Sequence, residues 1–393
     1  MDQSIIFDPD LIAKYDQSGP RYTSYPTAVE FHTRFNIEDY QAACGRGNAA
    51  ARPLSLYLHI PFCDTVCFYC ACNKIATKNR KLTGPYLQRV YQELALQATL
   101  IDATRPVKQL HWGGGTPTFI SYDEMQSLMD TIGKCFKLMT DDTGEYSIEI
   151  DPREANTKII RLLRNIGFNR MSLGVQDFNT QVQQAVNRIQ SEAKTLEVID
   201  AARDVGFRSI SFDLIYGLPL QTAKSFAITI ERVIQLAPDR LSLFNYAHLP
   251  QMFPPQRRID PEQLPTPAMK LGILSTAIDQ LTAAGYVFIG MDHFARPDDE
   301  LAIAQRQGTL HRNFQGYSTH ADCDLVGLGV TAISIMDSTY SQNIKTLDPY
   351  YEALDAGHLP LLRGISLTKD DEIRRNVITQ LICHFELKFA TIE

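Results

Sequence analysis

Between about residues 54 and 250, short β-branched and aromatic runs alternate with longer segments whose apolar residues recur every three or four positions. Leu56 to Ile60 reads as a strand, and Tyr86, Leu87, Val90, Tyr91 and Leu94 then fall on one stripe of a core-facing helix. Val107 to Trp112 predicts a second strand, followed by Ser121-Tyr-Asp-Glu124, a capping box that starts a helix reaching about Phe136. Tyr146 to Ile150 predicts a third strand with a helix over Thr157 to Asn165, and Arg170 to Val175 a fourth with a helix over Glu192 to Asp204. Ser209 to Tyr216 and Leu241 to Tyr246 complete six. Strands alternating with helices of this length form right-handed crossovers and a parallel sheet. The predicted fold class is α/β, a partial, open parallel β/α barrel of about six units, to which two further strands after Tyr286 could be added.

In parallel barrels, chemistry collects at the carboxyl ends of the strands. A run of cysteines follows the first predicted strand and Gly113-Gly114-Gly115-Thr116-Pro117 the second; Glu149 and Asp151 end the third, Gln176 and Asp177 the fourth, and Asp213 lies inside the fifth. Singly, each has a plain structural reading. A glycine run is a tight turn, and Glu149 or Asp213 a structural ion pair. Five such placements along one rim predict a site there.

The cysteine run carries the most specific chemistry. Cys63-Asp-Thr-Val-Cys67-Phe-Tyr-Cys70-Ala-Cys72 puts three thiols at spacings of four and three, which can hold three irons of a [4Fe-4S] cluster and leave the fourth iron open to another ligand. Zinc usually draws its ligands from two separated pairs, and no second pair follows. Eight cysteines in 393 residues are far too few for a disulfide scaffold. Cys44, Cys135, Cys323 and Cys383 stand alone, and a small buried apolar residue is the ordinary explanation for each. With 44% apolar content the chain can bury a full core, and no apolar run approaches the ~18 residues of a membrane span. A net charge of −7 without a basic tract argues against a nucleic-acid partner. The first residues show neither a basic n-region nor a hydrophobic stretch, so the expected location is cytoplasmic.

Cys63-x3-Cys67-x2-Cys70 resembles the signature of radical S-adenosylmethionine enzymes. Tyr57-Leu-His-Ile-Pro-Phe-Cys63, His111-Trp-Gly-Gly-Gly-Thr-Pro-Thr118, Glu149-Ile-Asp-Pro-Arg-Glu154, Gly174-Val-Gln-Asp-Phe178, Asp213-Leu-Ile-Tyr-Gly-Leu-Pro219, Phe244-Asn-Tyr-Ala-His-Leu-Pro250 and Gly290-Met-Asp-His-Phe-Ala-Arg296 narrow the resemblance to the oxygen-independent coproporphyrinogen III oxidase family, over nearly the whole chain. The resemblance implies oxidative decarboxylation of two propionates of coproporphyrinogen III to vinyl groups, giving protoporphyrinogen IX for haem synthesis. It implies a [4Fe-4S] cluster, S-adenosylmethionine (two molecules), a flavodoxin-like one-electron donor, an electron acceptor and a monomeric enzyme. It also implies the domain limits: an N-terminal arm over 1–50, a catalytic domain over 51–367 with its barrel core at about 54–250, and the start of a helical C-terminal domain over 368–393, opened by a helix that Thr368-Lys-Asp-Asp371 caps.

By the same resemblance Cys63, Cys67 and Cys70 bind the cluster, and Tyr57, Tyr69, Gly114 and Glu149 match positions holding the S-adenosylmethionine on the open iron. Gly115, Thr116, Gln176, Arg188, Asp213, Ala247 and Ile333 match a second such site. Cys72 is expected not to ligate, since four thiolates would saturate the cluster. Tyr69 stands where the family often carries phenylalanine, with its backbone expected to make the contact. Family members usually continue into a complete helical C-terminal domain, whereas this sequence stops at Ala390-Thr-Ile-Glu393; the expectation is retained cluster binding, reduced turnover and an exposed apolar face of Val377, Leu381 and Ile382. Arg21, Arg188 and Arg296 are candidate partners for substrate carboxylates, although surface arginines are more often simply solvated. A haem-binding chaperone on the same scaffold is the alternative, disfavoured by Cys72 and His293-Phe-Ala-Arg296. A non-catalytic iron-sulfur or zinc module would need neither the glycine rim nor Glu149.

Overall fold

The strands β1 (Leu54–Ile60), β2 (Pro106–Gly114), β3 (Glu145–Ile150), β4 (Arg170–Gln176), β5 (Ser209–Tyr216) and β6 (Arg240–Asn245) lie side by side in chain order, each parallel to the next, in a computed structural model that describes residues 7–15, 22 and 24–391. Helices Thr83–Leu100, Tyr122–Cys135, Thr157–Asn165, Glu192–Asp204 and Ala223–Leu236 make the crossovers. The predicted capping box at Ser121 is formed: its hydroxyl accepts from the Glu124 N–H while the Glu124 carboxylate accepts from the Ser121 N–H.

Each strand has two unlike faces. Leu54, Leu56, Leu58 and Ile60 of β1, Leu110 and Trp112 of β2, and Ile148, Leu173, Phe212 and Leu214 are buried in the main core with the helices. The alternate positions are polar: His111 on β2, Glu145, Ser147 and Glu149 on β3, Arg170 and Ser172 on β4, Ser209, Ser211 and Asp213 on β5, and Arg240 and Ser242 on β6. All of these line a lumen of about 250 Å³ inside the curved sheet. A period of two therefore aims the polar set at one interior.

The strands after Tyr286 exist but are not barrel staves. β7 (Val287–Gly290) and β8 (His293–Ala295) form a hairpin that joins the β6 edge antiparallel. Two residues connect them, too few for the crossover that a parallel strand requires. The other edge is extended instead: β9 (Asp324–Leu328) pairs parallel with β1, followed by antiparallel β10 (Ile333–Met336), β11 (Thr339–Asn343) and β12 (Leu361–Ser366). Helix Ile37–Ala49 packs Ala43 and Cys44 into the same core as the barrel strands. The helix at Lys369–His384 has its expected Thr368 cap, but its apolar face divides. Leu381 is exposed, whereas Ile382 packs beside buried Cys383 and its carbonyl accepts from the Tyr317 hydroxyl at 2.9 Å.

A buried carboxylate anchors the turn between β9 and β10. Glu93 has no solvent exposure and accepts from Tyr350 Oη–H at 2.5 Å, Asn343 Nδ2–H at 2.6 Å and the Gly329 N–H at 2.8 Å; burial pushes its carboxyl up to about 7. Glu93→Ala leaves three buried donors without an acceptor and is expected to cost about 3–5 kcal/mol in denaturant unfolding. A loss below about 1 kcal/mol would mean that the turn does not depend on this carboxylate.

Candidate active site

The cysteine loop leaves β1 and is tied at both ends. Phe62–Cys63 pairs with Ile75–Ala76, closed by Ile75 N–H to Pro61 O at 2.7 Å and Thr77 N–H to Cys63 O at 2.9 Å. Its middle is held from the far side of the barrel, where Phe68 N–H donates to Val186 O at 2.9 Å and Asn187 Nδ2–H to Val66 O at 2.8 Å. Cys63, Cys67, Cys70 and Cys72 all line one cavity of about 340 Å³ at the carboxyl ends of the strands. Cys63 and Cys67 are buried and Cys72 is exposed. Burial pushes the Cys63 thiol up to about 11, despite the Thr116 hydroxyl at 3.6 Å, while its partnership with the Cys72 thiol draws the Cys70 thiol down to about 6.

Tyr69, Gly114, Gly115, Thr116, Glu149, Gln176, Arg188 and Asp213 line the same cavity. A second cavity of about 370 Å³ is lined by Tyr57, His59, His111 and Ile333, and shares Cys72, Gly114 and Glu149 with the first. The two groups of sequence-predicted residues thus sort differently in space: Ile333 lies with Tyr57, Gly114 and Glu149, because β10 folds back beside the β1 edge, and Tyr69 lies with Arg188 and Asp213. Ala247 lines neither cavity; it is exposed just beyond β6. Gly114 and Gly115 are required by the protein itself. A Cβ on Gly115 would meet the Phe62 and Pro61 carbonyl oxygens at 2.7 and 2.8 Å, and Gly114 has φ +116° with the His59 ring 2.7 Å from its would-be Cβ. The glycines let β2 close onto the cysteine loop, where Gly115 N–H donates to Ile60 O and Thr116 N–H to Phe62 O, both at 2.8 Å.

Glu149 stands where these cavities and the lumen meet. Its carboxylate accepts from the Gly114 N–H at 3.1 Å and lies 3.4 Å from His111 Nε2, whose other nitrogen is 2.7 Å from Ser147 Oγ. Burial opposes its ionisation, but His111 and the Gly114 N–H outweigh burial and leave its carboxyl below the usual range. Asp213 accepts from Ser172 Oγ–H at 2.6 Å, yet burial, with Glu149 nearby, raises it to about 6. His59 Nε2–H donates to Asn73 O at 3.0 Å, so its Nδ1 accepts from Tyr57 Oη–H at 3.0 Å, and burial keeps the ring's pKa low. A positive-φ Gln176 and the buried Arg188 each have one buried polar atom, Oε1 and Nε, without a hydrogen-bond partner among the described residues. Four clustered thiols, with Gln176 and Arg188 each keeping an unanswered polar atom beside them, suit a metal cluster next to a polar ligand.

Arg153 is a site residue that the spacing of polar residues does not single out. It sits in a short 3-10 turn that Asp151 caps, and it lines the cysteine cavity. Of the arginines considered as carboxylate partners, Arg296 lies near Asp239 and Asp298 at the amino ends of the strands, away from the cysteines, and Arg21 is outside the described residues. His320, Asp322 and Cys323 bring three donor atoms within 4.8 Å, but Lys108 already holds Asp322 at 3.1 Å and Glu145 holds His320 at 3.3 Å.

The Radical SAM superfamily model matches residues 57–233. Oxygen-independent coproporphyrinogen III oxidase of Pseudomonas aeruginosa is 55% identical over 390 residues, covering 99% of this chain and 85% of that protein. Its Escherichia coli counterpart is 53% identical, covering 100% of the chain and 84% of that protein. A solved structure, described as coproporphyrinogen III oxidase from Escherichia coli and a radical SAM enzyme, superposes with a TM-score of 0.95 at 51% identity, covering 100% of this chain and 87% of that one. The cysteine loop, the parallel barrel and these relatives agree: the chain belongs to the oxygen-independent coproporphyrinogen III oxidase family of the radical SAM superfamily.

Proposed function

We propose that this protein converts two propionate side chains of coproporphyrinogen III to vinyl groups, each with loss of CO2 and transfer of one electron to an acceptor, giving protoporphyrinogen IX without oxygen. The observation that carries the reading is three-thiol spacing on the carboxyl rim of a barrel that is 55% identical to an oxidase of that name. Its cofactors are a [4Fe-4S] cluster and S-adenosylmethionine, which together supply a 5′-deoxyadenosyl radical able to take a hydrogen from a propionate β-carbon.

The chain's own residues bind and orient. Cys63, Cys67 and Cys70 would hold the cluster. Tyr57, Gly114, Glu149 and Ile333 share one cavity that would take the S-adenosylmethionine on the open iron, and ionised Glu149 suits its ammonium group through a charge-assisted hydrogen bond. Tyr69, Gly115, Thr116, Gln176, Arg188 and Asp213 surround the neighbouring cavity, which would take the second molecule. Ala247 belongs with that second set by resemblance alone. A one-electron donor of flavodoxin type, a monomeric state and a cytoplasmic location complete the reading.

The test is anaerobic turnover of reconstituted protein with S-adenosylmethionine, dithionite and coproporphyrinogen III. Both 5′-deoxyadenosine and CO2 are expected; deoxyadenosine alone would indicate another radical substrate, and neither product a binding role. Cys72, at the junction of the two cavities, is expected not to ligate the cluster. Cys72→Ala should keep the full wild-type iron and sulfide content, and loss of cluster in that variant would make Cys72 a ligand.

A further inference from the structure

Cys67 is the only one of the three ligand cysteines whose sulfur faces two guanidinium groups among the described residues. Arg153 Nη2 lies 3.4 Å from Cys67 Sγ, and Arg188 Nη1 lies 3.5 Å from it. The same two nitrogens converge on one carboxylate oxygen: Asp151 Oδ2 accepts from Arg153 Nη2–H at 2.7 Å and from Arg188 Nη1–H at 2.9 Å. Asp151 Oδ1 takes the Arg153 backbone N–H and Nε–H, both at 3.0 Å. Arg188 is fixed further by donating Nη2–H to Gly174 O at 2.6 Å. All three side chains are largely buried, and although burial opposes its charge, Asp151 is kept ionised by Arg188 and Arg153. Two guanidiniums and one carboxylate leave a net single positive charge, rigidly held, with N–H groups on one thiolate.

Such a unit does not treat the two oxidation states of a cluster alike. Reduction adds one electron and no proton, so the sulfurs become more negative, and a fixed cation with N–H donors stabilises the reduced form more than the oxidised one. We propose that Arg153, held against Cys67 by Asp151 and paired there with Arg188, raises the reduction potential of the cluster and thereby eases its reduction by a low-potential one-electron donor. Arg153 is a positioning residue in this account, acting through Cys67. Asp151 offsets part of the guanidinium charge at the sulfur while fixing where both groups point. The inference rests on the reading that Cys67 is a cluster ligand.

The test is EPR-monitored redox titration of anaerobically reconstituted protein, with iron and sulfide counted on the same samples. At the wild-type midpoint, Arg153→Gln is expected to lower the ratio of reduced to oxidised cluster about tenfold, equivalent to ~59 mV for a one-electron couple. Asp151→Asn, which removes the counter-charge and leaves both guanidiniums to Cys67, is expected to raise that ratio by several-fold. Arg153→Lys keeps the charge without the fork and should fall between wild type and Arg153→Gln. Opposite signs in intact clusters support the proposal. Shifts of the same sign, or ratios within about twofold of wild type in both variants, overturn it. If Arg153→Gln cannot hold a cluster, the Asp151→Asn and Arg153→Lys ratios decide in its place, and loss of cluster from all three would assign the unit to cluster assembly and overturn the proposal. Failure of the underlying cluster reading is distinguishable, because wild-type protein would then take up no iron and sulfide.

Discussion

Cys67→Ala protein, reconstituted anaerobically, is expected to retain less than about one tenth of the wild-type iron and sulfide and to lose turnover by about 10³-fold or more. The size of the effect follows from the division of labour: the cofactor performs the bond cleavage, and a chain that cannot hold it has no second route. Cys72 cannot substitute, because it lies on the exposed side of the loop at the junction with the Tyr57 cavity, whereas Cys67 faces the buried Arg153–Asp151–Arg188 side. The loop itself should survive the change, since backbone bonds at Pro61, Cys63 and Phe68 close it without the Cys67 side chain. Cys135→Ala is the control: that thiol is part-buried at the end of helix Tyr122–Cys135, and its removal should leave the iron count unchanged. Full iron in Cys67→Ala, measured beside that control, would remove Cys67 from the ligand set.

The six central strands were legible because each carries an apolar face of period two, and Ser209–Tyr216 begins and ends where its pattern does. The hairpin at Val287–Ala295 was not, since local pattern announces a strand but not its direction; only the two-residue connection forces the antiparallel return. The addition of β9 beside β1 pairs residues about 270 positions apart, as in Leu54 with Asp324, and no local signal carries that register. The site divides in the same way. Cysteine spacing, Glu149 at a strand end and Asp213 inside a strand are readable because such residue types are unusual there, and Gly114 and Gly115 stand out as a run. The run alone does not reveal what forbids a Cβ there, which is the Pro61 and Phe62 carbonyls and the His59 ring. Arg153 carries no local signal of a site role, and only the fold brings it within 3.4 Å of Cys67 Sγ.

Asp213 should make S-adenosylmethionine binding depend on pH in a window that Glu149 cannot account for. Burial raises the Asp213 carboxyl from 3.8 to about 6, whereas Glu149 is held below its ordinary value and stays ionised throughout that range. A ligand carrying sulfonium and ammonium charges favours the ionised form, so affinity is present above pH 6 and lost as pH falls through it. Equilibrium dialysis with reconstituted protein should show the dissociation constant rising about fourfold between pH 7.5 and 5.5, with the rise abolished and the affinity lower throughout in Asp213→Asn. Stability runs the other way. Because the folded pKa exceeds the unfolded one, the folded state binds more protons between pH 3.8 and about 6, and keeping Asp213 charged above that range costs folding free energy in the absence of ligand. Unliganded Asp213→Asn should therefore be more stable than wild type at pH 8 by about 1–2 kcal/mol in chemical denaturation, while binding S-adenosylmethionine more weakly. The opposed signs separate a carboxylate kept for its ligand from one kept for the fold: a structural ion pair would lose stability on the same substitution, and its pH profile would not follow binding.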